Sequence, residues 1–204
     1  MPEQVGCVLA RTPSLAYDSH MSNYRRPMVK GGTFFFTVVS YHRRPILTLP
    51  LARRALHDAL ALTRRERPFD IVAMVLLPDH LHAVWTLPEG DADFSVRWKL
   101  VKTRVTLALA DHDLAPCGTT PSRRHRQERD VWQRRFWDHA IRDDDDFRRH
   151  VDYIHWNPVK HALVSRVRDW PYSTFHRYVR RGVYPEDWGF TQPPSITGFE
   201  GVGE

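Results

Sequence analysis

The stretch Leu76-Leu77-Pro78-Asp79-His80-Leu81-His82-Ala83-Val84-Trp85 sets two turn-forming residues between two apolar runs. Residues 69–77 are apolar on both faces, which predicts a central strand of a sheet covered on both sides. Pro78-Asp79 permits a tight turn into a second strand, so the two segments form an antiparallel pair. Side chains alternate along that second strand. His80 and His82 therefore share one face, while Leu81, Ala83, Trp85 and Leu87 share the other. Two imidazoles are thus held side by side on a rigid support. That spacing can present two nitrogen ligands to one divalent metal, and imidazole also serves acid–base chemistry. Alone, the pattern is more often structural than functional, and its meaning depends on the rest of the chain.

On the N-terminal side, residues 33–41 are rich in Phe, Val and Thr between Gly31-Gly32 and Arg43-Arg44-Pro45, which predicts a first strand. Residues 51–65 repeat apolar side chains with a helical period at Leu51, Ala55, Leu56, Ala59, Leu60 and Leu62. On the C-terminal side, Phe94, Trp98, Val101, Val105 and Leu109 form the stripe of a second helix over 94–110. Arg97, Lys99, Lys102 and Arg104 surround it, either as solubilising charges or as phosphate contacts. Residues 111–130 read as a loop, with a basic run at Arg123-Arg124-His125-Arg126, and residues 131–141 as a fourth strand that includes Arg134 and Arg135.

Four aspartates, 143 to 146, then favour the start of a helix, because carboxylates complement the positive end of its dipole. Phe147, Val151 and Ile154 form its expected buried stripe, with Tyr153 and Asn157 one turn apart on a polar face and Pro158 ending the helix. A short extended piece and a last helix over 169–178 follow. The order strand, helix, strand, strand, helix, strand describes an α+β fold: a ferredoxin-like split β-α-β with a four-stranded antiparallel sheet, plus the extra tyrosine-bearing helix. The expected division is a tail over 1–20, one domain over 21–180 and a C-terminal tail over 181–204. If the first two helices cover the Leu81/Trp85 face, the His80/His82 face is left for the tyrosine helix or a ligand.

Composition narrows the function. The apolar run 71–77 is far shorter than the roughly 20 residues of a spanning helix, so no membrane partner is expected. Thirty Lys+Arg against 24 Asp+Glu give a formal charge of +6 and a pI near 9.6, which suits a polyanion. Cys7 and Cys117 are too few for a disulfide framework and lack zinc spacing, pointing to a reducing cytoplasm. The cluster Ser22-Asn23-Tyr24-Arg25-Arg26 combines amide, phenol and guanidinium groups, either as an arm that reads bases and phosphates or as a solvated tail.

Jointly these motifs resemble the REP-associated tyrosine transposases, single-tyrosine members of the HUH endonuclease superfamily. The resemblance rests on His80-Leu81-His82 after Leu-Pro-Asp, on Tyr153-Ile154-His155-Trp156-Asn157-Pro158-Val159-Lys160-His161-Ala162-Leu163-Val164, on the Ser22 to Arg26 cluster with Gly31-Gly32, and on Trp170-Pro171-Tyr172-Ser173-Thr174-Phe175. Ala162 departs from the pattern, where a glycine is commoner. The resemblance implies single-stranded DNA hairpins of repetitive extragenic palindromes as substrate and Mg²⁺ or Mn²⁺ as cofactor. It further implies His80, His82 and Asn157 as metal ligands and Tyr153 as the nucleophile that forms a 5′-phosphotyrosine. DNA contacts are expected from Ser22, Asn23, Tyr24, Arg25, Arg26, Lys102, Arg104, Arg134, Arg135 and Lys160. His150, His155 and His161 are expected at the surface or on phosphate. The competing expectations are a palindrome-binding protein that needs no cleavage, and a replication initiator or relaxase of the same superfamily.

Overall fold

The computed structural model describes residues 29–190 and residue 194. The Ser22 to Arg26 cluster lies outside the described residues. Four strands, β1 (Thr33–Val39), β2 (Asp70–Leu76), β3 (His80–Thr86) and β4 (Trp137–Ala140), form one sheet in the order β2-β3-β1-β4. Every neighbouring pair is antiparallel. This is the split β-α-β arrangement predicted above, with the histidine strand between β1 and β2 at the centre of the sheet.

Alternation along β1 divides the core in two. Phe34, Phe36 and Val38 face a layer made by helices α1 (Pro50–Glu66) and α2 (Phe94–Ala108), together with Leu81, Ala83 and Trp85 of β3. Within it the Trp85 and Trp98 rings stack at 4.0 Å. Phe35 points the other way, where Ala73, Val75 and Val84 meet Val151, Tyr153 and Ile154 of helix α4 (Asp144–Lys160). The expected partition of the histidine strand is therefore the observed one: α1 and α2 cover its apolar face, and α4 covers the face bearing the imidazoles.

Helix starts follow local chemistry. Pro50 occupies the first turn of α1, where a missing N–H costs nothing. Asp143 caps α4 by accepting from the Asp146 N–H at 2.8 Å, with Asp144, Asp145 and Asp146 in the first turn. The aspartate run is thus a helix start.

Five expectations are corrected. β2, expected as a central strand, is the edge strand of the sheet, and its outer edge is covered by the chain at 172–174, with the Leu76 N–H donating to the Tyr172 carbonyl at 2.9 Å. The strand expected over 131–141 is only four residues long, although Trp132 bridges to Ser40 and the Gln133 N–H donates to the Val39 carbonyl. The chain between them leaves the ladder because Phe136 turns inward against Phe36, Phe94 and Trp98. The loop over 111–130 contains a short helix α3 (Pro121–His125), in which Arg123 is buried beside Asp130 and lies 4.2 Å over the Tyr41 ring. Pro158 does not end α4; the helix runs on to Lys160, since the proline removes one donor and the His161 N–H resumes the ladder to the Asn157 carbonyl at 3.0 Å. Lastly, residues 181–190 pack on α4 and on helix α5 (Phe175–Arg180). Tyr184 stacks with Phe175 and Tyr178 and donates a short hydrogen bond to Asp152. No helix among the described residues is long and apolar enough to cross a membrane.

Candidate active site

β3 sets His80 opposite Val39 and His82 opposite Thr37. Directly opposed residues share a face, so Thr37 stands beside the imidazoles, and its Oγ1 lies 2.9 Å from His82 Nδ1. His80 Nδ1 lies 2.7 Å from Asp79 Oδ1, and Arg43 donates to the other carboxylate oxygen at 2.8 Å. Burial would raise the Asp79 carboxyl, but the hydrogen bonds and charges of His80 and Arg43 outweigh it and hold its pKa at about 2. An ionised carboxylate only accepts, so His80 carries its hydrogen on Nδ1. When the ring is neutral, Nε2 carries the lone pair, and that atom is buried and without a hydrogen-bond partner. The two rings lie 4.8 Å apart between centroids, at 81° to one another.

Two oriented imidazole nitrogens side by side are a donor set that could hold a metal. Ligating histidines give their second ring nitrogen to a carboxylate or hydroxyl, which fixes ring and tautomer, and Asp79 and Thr37 hold these two in that way. A hard or borderline divalent ion fits two imidazole nitrogens plus oxygen donors.

Tyr153 is brought to the pair by α4. Its ring centroid is 5.2 Å from that of His82 and 6.0 Å from that of Phe35, and the residue is 1% exposed. Asn157 follows one turn later and is fully buried. Both residues were expected on a polar face away from the apolar stripe. Instead they lie on the inward arc with Val151 and Ile154, because α4 is covered by the sheet on one side and by α5 and residues 181–190 on the other. Lys160 is exposed, yet its Nζ reaches to 3.4 Å from Tyr153 Oη and 5.0 Å from the ring centre.

The remaining cations are dispersed. Arg104 binds Thr63 at 2.6 Å and Glu66 at 2.5 Å, tying α2 to α1. Lys102 donates to the carbonyls of Gln133 and Arg134, and Arg134 binds Glu128 at 2.9 Å. Lys102 and Arg104 belong to the helix layer across the sheet from Tyr153. Arg135 is exposed. Of the cations expected to touch DNA, the structure places Lys160 beside the tyrosine.

Of the three histidines expected at the surface or on phosphate, His150 and His155 are buried and His161 is half-buried. His155 is buried with Nε2 at 2.9 Å from Thr174 Oγ1, and His150 is buried against Phe35 with ring centroids 4.8 Å apart. The His161 ring lies 5.2 Å from that of His80, at the edge of the paired imidazoles. Sequence reasoning also missed Thr37, whose role depends on strand register, and treated Asp79 as a turn residue only.

Among the described residues, His139, Asp146 and His150 also offer metal-type donors within 4.8 Å of one another. They are joined by hydrogen bonds as they stand. Asp146 Oδ2 accepts from His139 at 2.8 Å and from the backbone and side chain of Arg142, while His150 Nδ1 lies 2.7 Å from the Asp146 carbonyl. Burial would raise the Asp146 carboxyl, but these partners hold it at about 2. The cluster fastens β4 to the first turn of α4.

No protein-family profile matches the chain. The REP-associated tyrosine transposase of Escherichia coli K12 is 51% identical over 168 residues, covering 82% of this chain and 91% of that protein. A relative of the same family name from Haemophilus influenzae is 43% identical over 179 residues, covering 87% of this chain and 99% of its own length. A solved structure described as a REP-associated tyrosine transposase bound to a REP hairpin aligns at a TM-score of 0.74 with 46% identity, covering 90% of this chain and 98% of the other. With the fold, the paired histidines and the helix-borne tyrosine, these similarities show that the chain belongs to the REP-associated tyrosine transposases.

Proposed function

We propose that the protein cleaves and rejoins single-stranded DNA at the foot of a palindromic hairpin, through a covalent link between Tyr153 and a 5′-phosphate. The observation that carries this reading is the buried Tyr153 ring 5.2 Å from His82, itself 4.8 Å from His80, with both imidazoles oriented through Nδ1. A phenol, two nitrogen ligands and a cation on one spot match phosphoryl transfer by an activated nucleophile. The relative solved with a REP hairpin makes a REP-type palindrome the substrate to test.

His80 and His82 would hold Mg²⁺ or Mn²⁺, with Asn157 as an oxygen donor one turn from the nucleophile. Bound there, the ion supplies Lewis-acid polarisation of a non-bridging phosphate oxygen. Asp79 and Thr37 keep the imidazoles aimed, and Phe35 seats the rings of His82 and Tyr153. Tyr153 Oη attacks phosphorus as the 3′-oxygen leaves, taking up the proton that the phenol gives up. The ester is conserved in the protein–DNA link, so the reversal joins strands without ATP.

Ser22 to Arg26 would recognise the bases at the hairpin foot, as the N-terminal arm of the domain over 21–180. Arg135, Arg134, Lys102 and Arg104 would contact phosphates only with the groups they do not already give to the protein. A bacterial cytoplasm fits such a substrate and the two cysteines. The test is a labelled hairpin incubated with Mg²⁺: wild type should form a denaturant-stable adduct and Tyr153→Phe none. Adduct from the phenylalanine variant would reject the assignment. Chelation should stop cleavage while hairpin binding persists; if nothing is cut with metal present, the palindrome-binding reading takes its place.

A further inference from the structure

We infer that Lys160 is a catalytic residue, its ammonium stabilising the negative charge that develops on Tyr153 Oη during attack and again when Oη is expelled. The inference rests on the reading of Tyr153 as the nucleophile.

The argument begins with the end of α4. Seven residues at 100° each return to within about 20° of the starting direction, so Lys160 stands on the same face as Tyr153, roughly 10 Å along the axis. Helical side chains lean toward the N-terminus, so the lysine stem runs back over the tyrosine. This works only because the helix continues past Pro158 to Lys160, rather than stopping at the proline. The result is an Nζ 3.4 Å from Oη and 5.0 Å from the ring centre. That separation is at the long end for a hydrogen bond, and such contacts shorten once charge develops on the acceptor.

Burial explains why the contact matters. Tyr153 is 1% exposed, whereas Lys160 is exposed, so the lysine reaches from the surface to a hydroxyl lying just beneath it. A phenolate-like oxygen in low-dielectric surroundings needs a positive donor placed in advance, and removal of one such donor typically costs 10²–10³-fold in rate. In the forward step the Oη–P bond forms, the P–O3′ bond breaks, and the phenol proton ends on the released 3′-hydroxyl. In the reverse step Oη leaves phosphorus and regains that proton. The ammonium serves the same atom both ways, so its loss slows cleavage and rejoining together.

The test uses the full chain with Mg²⁺ and a labelled REP-type hairpin at saturating protein. Lys160→Met should keep the thermal midpoint and hold the hairpin Kd within about threefold, while slowing adduct formation and rejoining by about 100-fold. Lys160→Arg should recover most of the rate. Placing 3,5-difluorotyrosine at 153, whose phenolate charge is spread by fluorine, should rescue Lys160→Met by at least about tenfold, because charge at Oη is what the lysine otherwise stabilises. A wild-type rate for Lys160→Met overturns the inference, as does a loss confined to Kd, which would make Lys160 a plain phosphate contact. A slow variant that fluorination does not rescue overturns it too. Adduct formation by Tyr153→Phe instead refutes the nucleophile reading itself, so the two failures are read in separate lanes.

Discussion

Asp79 Oδ1 lies 2.7 Å from His80 Nδ1, and the other oxygen of the same carboxylate binds Arg43. The turn residue that closes the β2–β3 hairpin therefore also fixes the tautomer of the first histidine. Orienting partners of this kind are worth about 10–100-fold in metal affinity. Asp79→Ala should weaken Mn²⁺ binding by that factor, read by electron paramagnetic resonance titration of free Mn²⁺. Equal affinities would show that the carboxylate does not aim the ring.

Thr37 plays the corresponding part for His82 with a neutral hydroxyl. Thr37→Val preserves shape and removes the 2.9 Å contact, leaving a buried ring nitrogen without that partner. The expected loss is about 1–3 kcal/mol of folding stability, measured by urea unfolding in the absence of metal. A variant as stable as wild type would mean that the hydroxyl is not what satisfies the ring.

Ala162 closes α4 in the left-handed region at φ 53°. Its N–H donates to the Val159 carbonyl and the Leu163 N–H to the Pro158 carbonyl, both at 2.9 Å, the paired bonds of a Schellman end. Glycine adopts that conformation without a Cβ penalty, whereas another L-residue pays about 1–2 kcal/mol there. Ala162→Gly should therefore stabilise the protein by about 1 kcal/mol and raise the thermal midpoint by about 2–4 °C, and calorimetry would detect it. A lower midpoint would show that chain entropy outweighs the relieved strain.

Two periodicities carried most of the prediction. The period of two along β3 divides His80 and His82 from Leu81, Ala83 and Trp85, and the observed cores obey that division. The helical period found α1, α2 and α4. What stayed hidden depends on contacts distant in sequence. Thr37 meets His82 only through the β1–β3 register, which local pattern does not specify. The burial of Tyr153, His155 and Asn157 follows from α4 being covered on both sides, by the sheet and by α5 with residues 181–190. Continuation past Pro158 was hidden because proline's local preference opposes it, while the ladder bonds that follow sustain it.

His155 should make folding sensitive to mild acid. Its ring sits among Phe175, Tyr178 and Tyr184, with Nε2 on a Thr174 hydroxyl that also accepts the Met74 N–H at 2.8 Å. Burial, followed by the charges of Arg177 and His176, pushes its pKa down to about 3. In the unfolded chain the ring titrates near 6.5. Between these values the unfolded state holds the extra proton, so the contribution of a neutral His155 is complete above pH about 6.5 and is lost progressively as pH falls toward about 3. The slope approaches 1.4 kcal/mol per pH unit, or roughly 2 kcal/mol between pH 6.5 and 5. His155→Gln retains an amide for Thr174 but cannot titrate, so its urea-unfolding free energy should fall less over that interval by about this amount. Parallel decline of variant and wild type would place the acid sensitivity elsewhere, and would mean that the folded protein accepts a charged ring at this position.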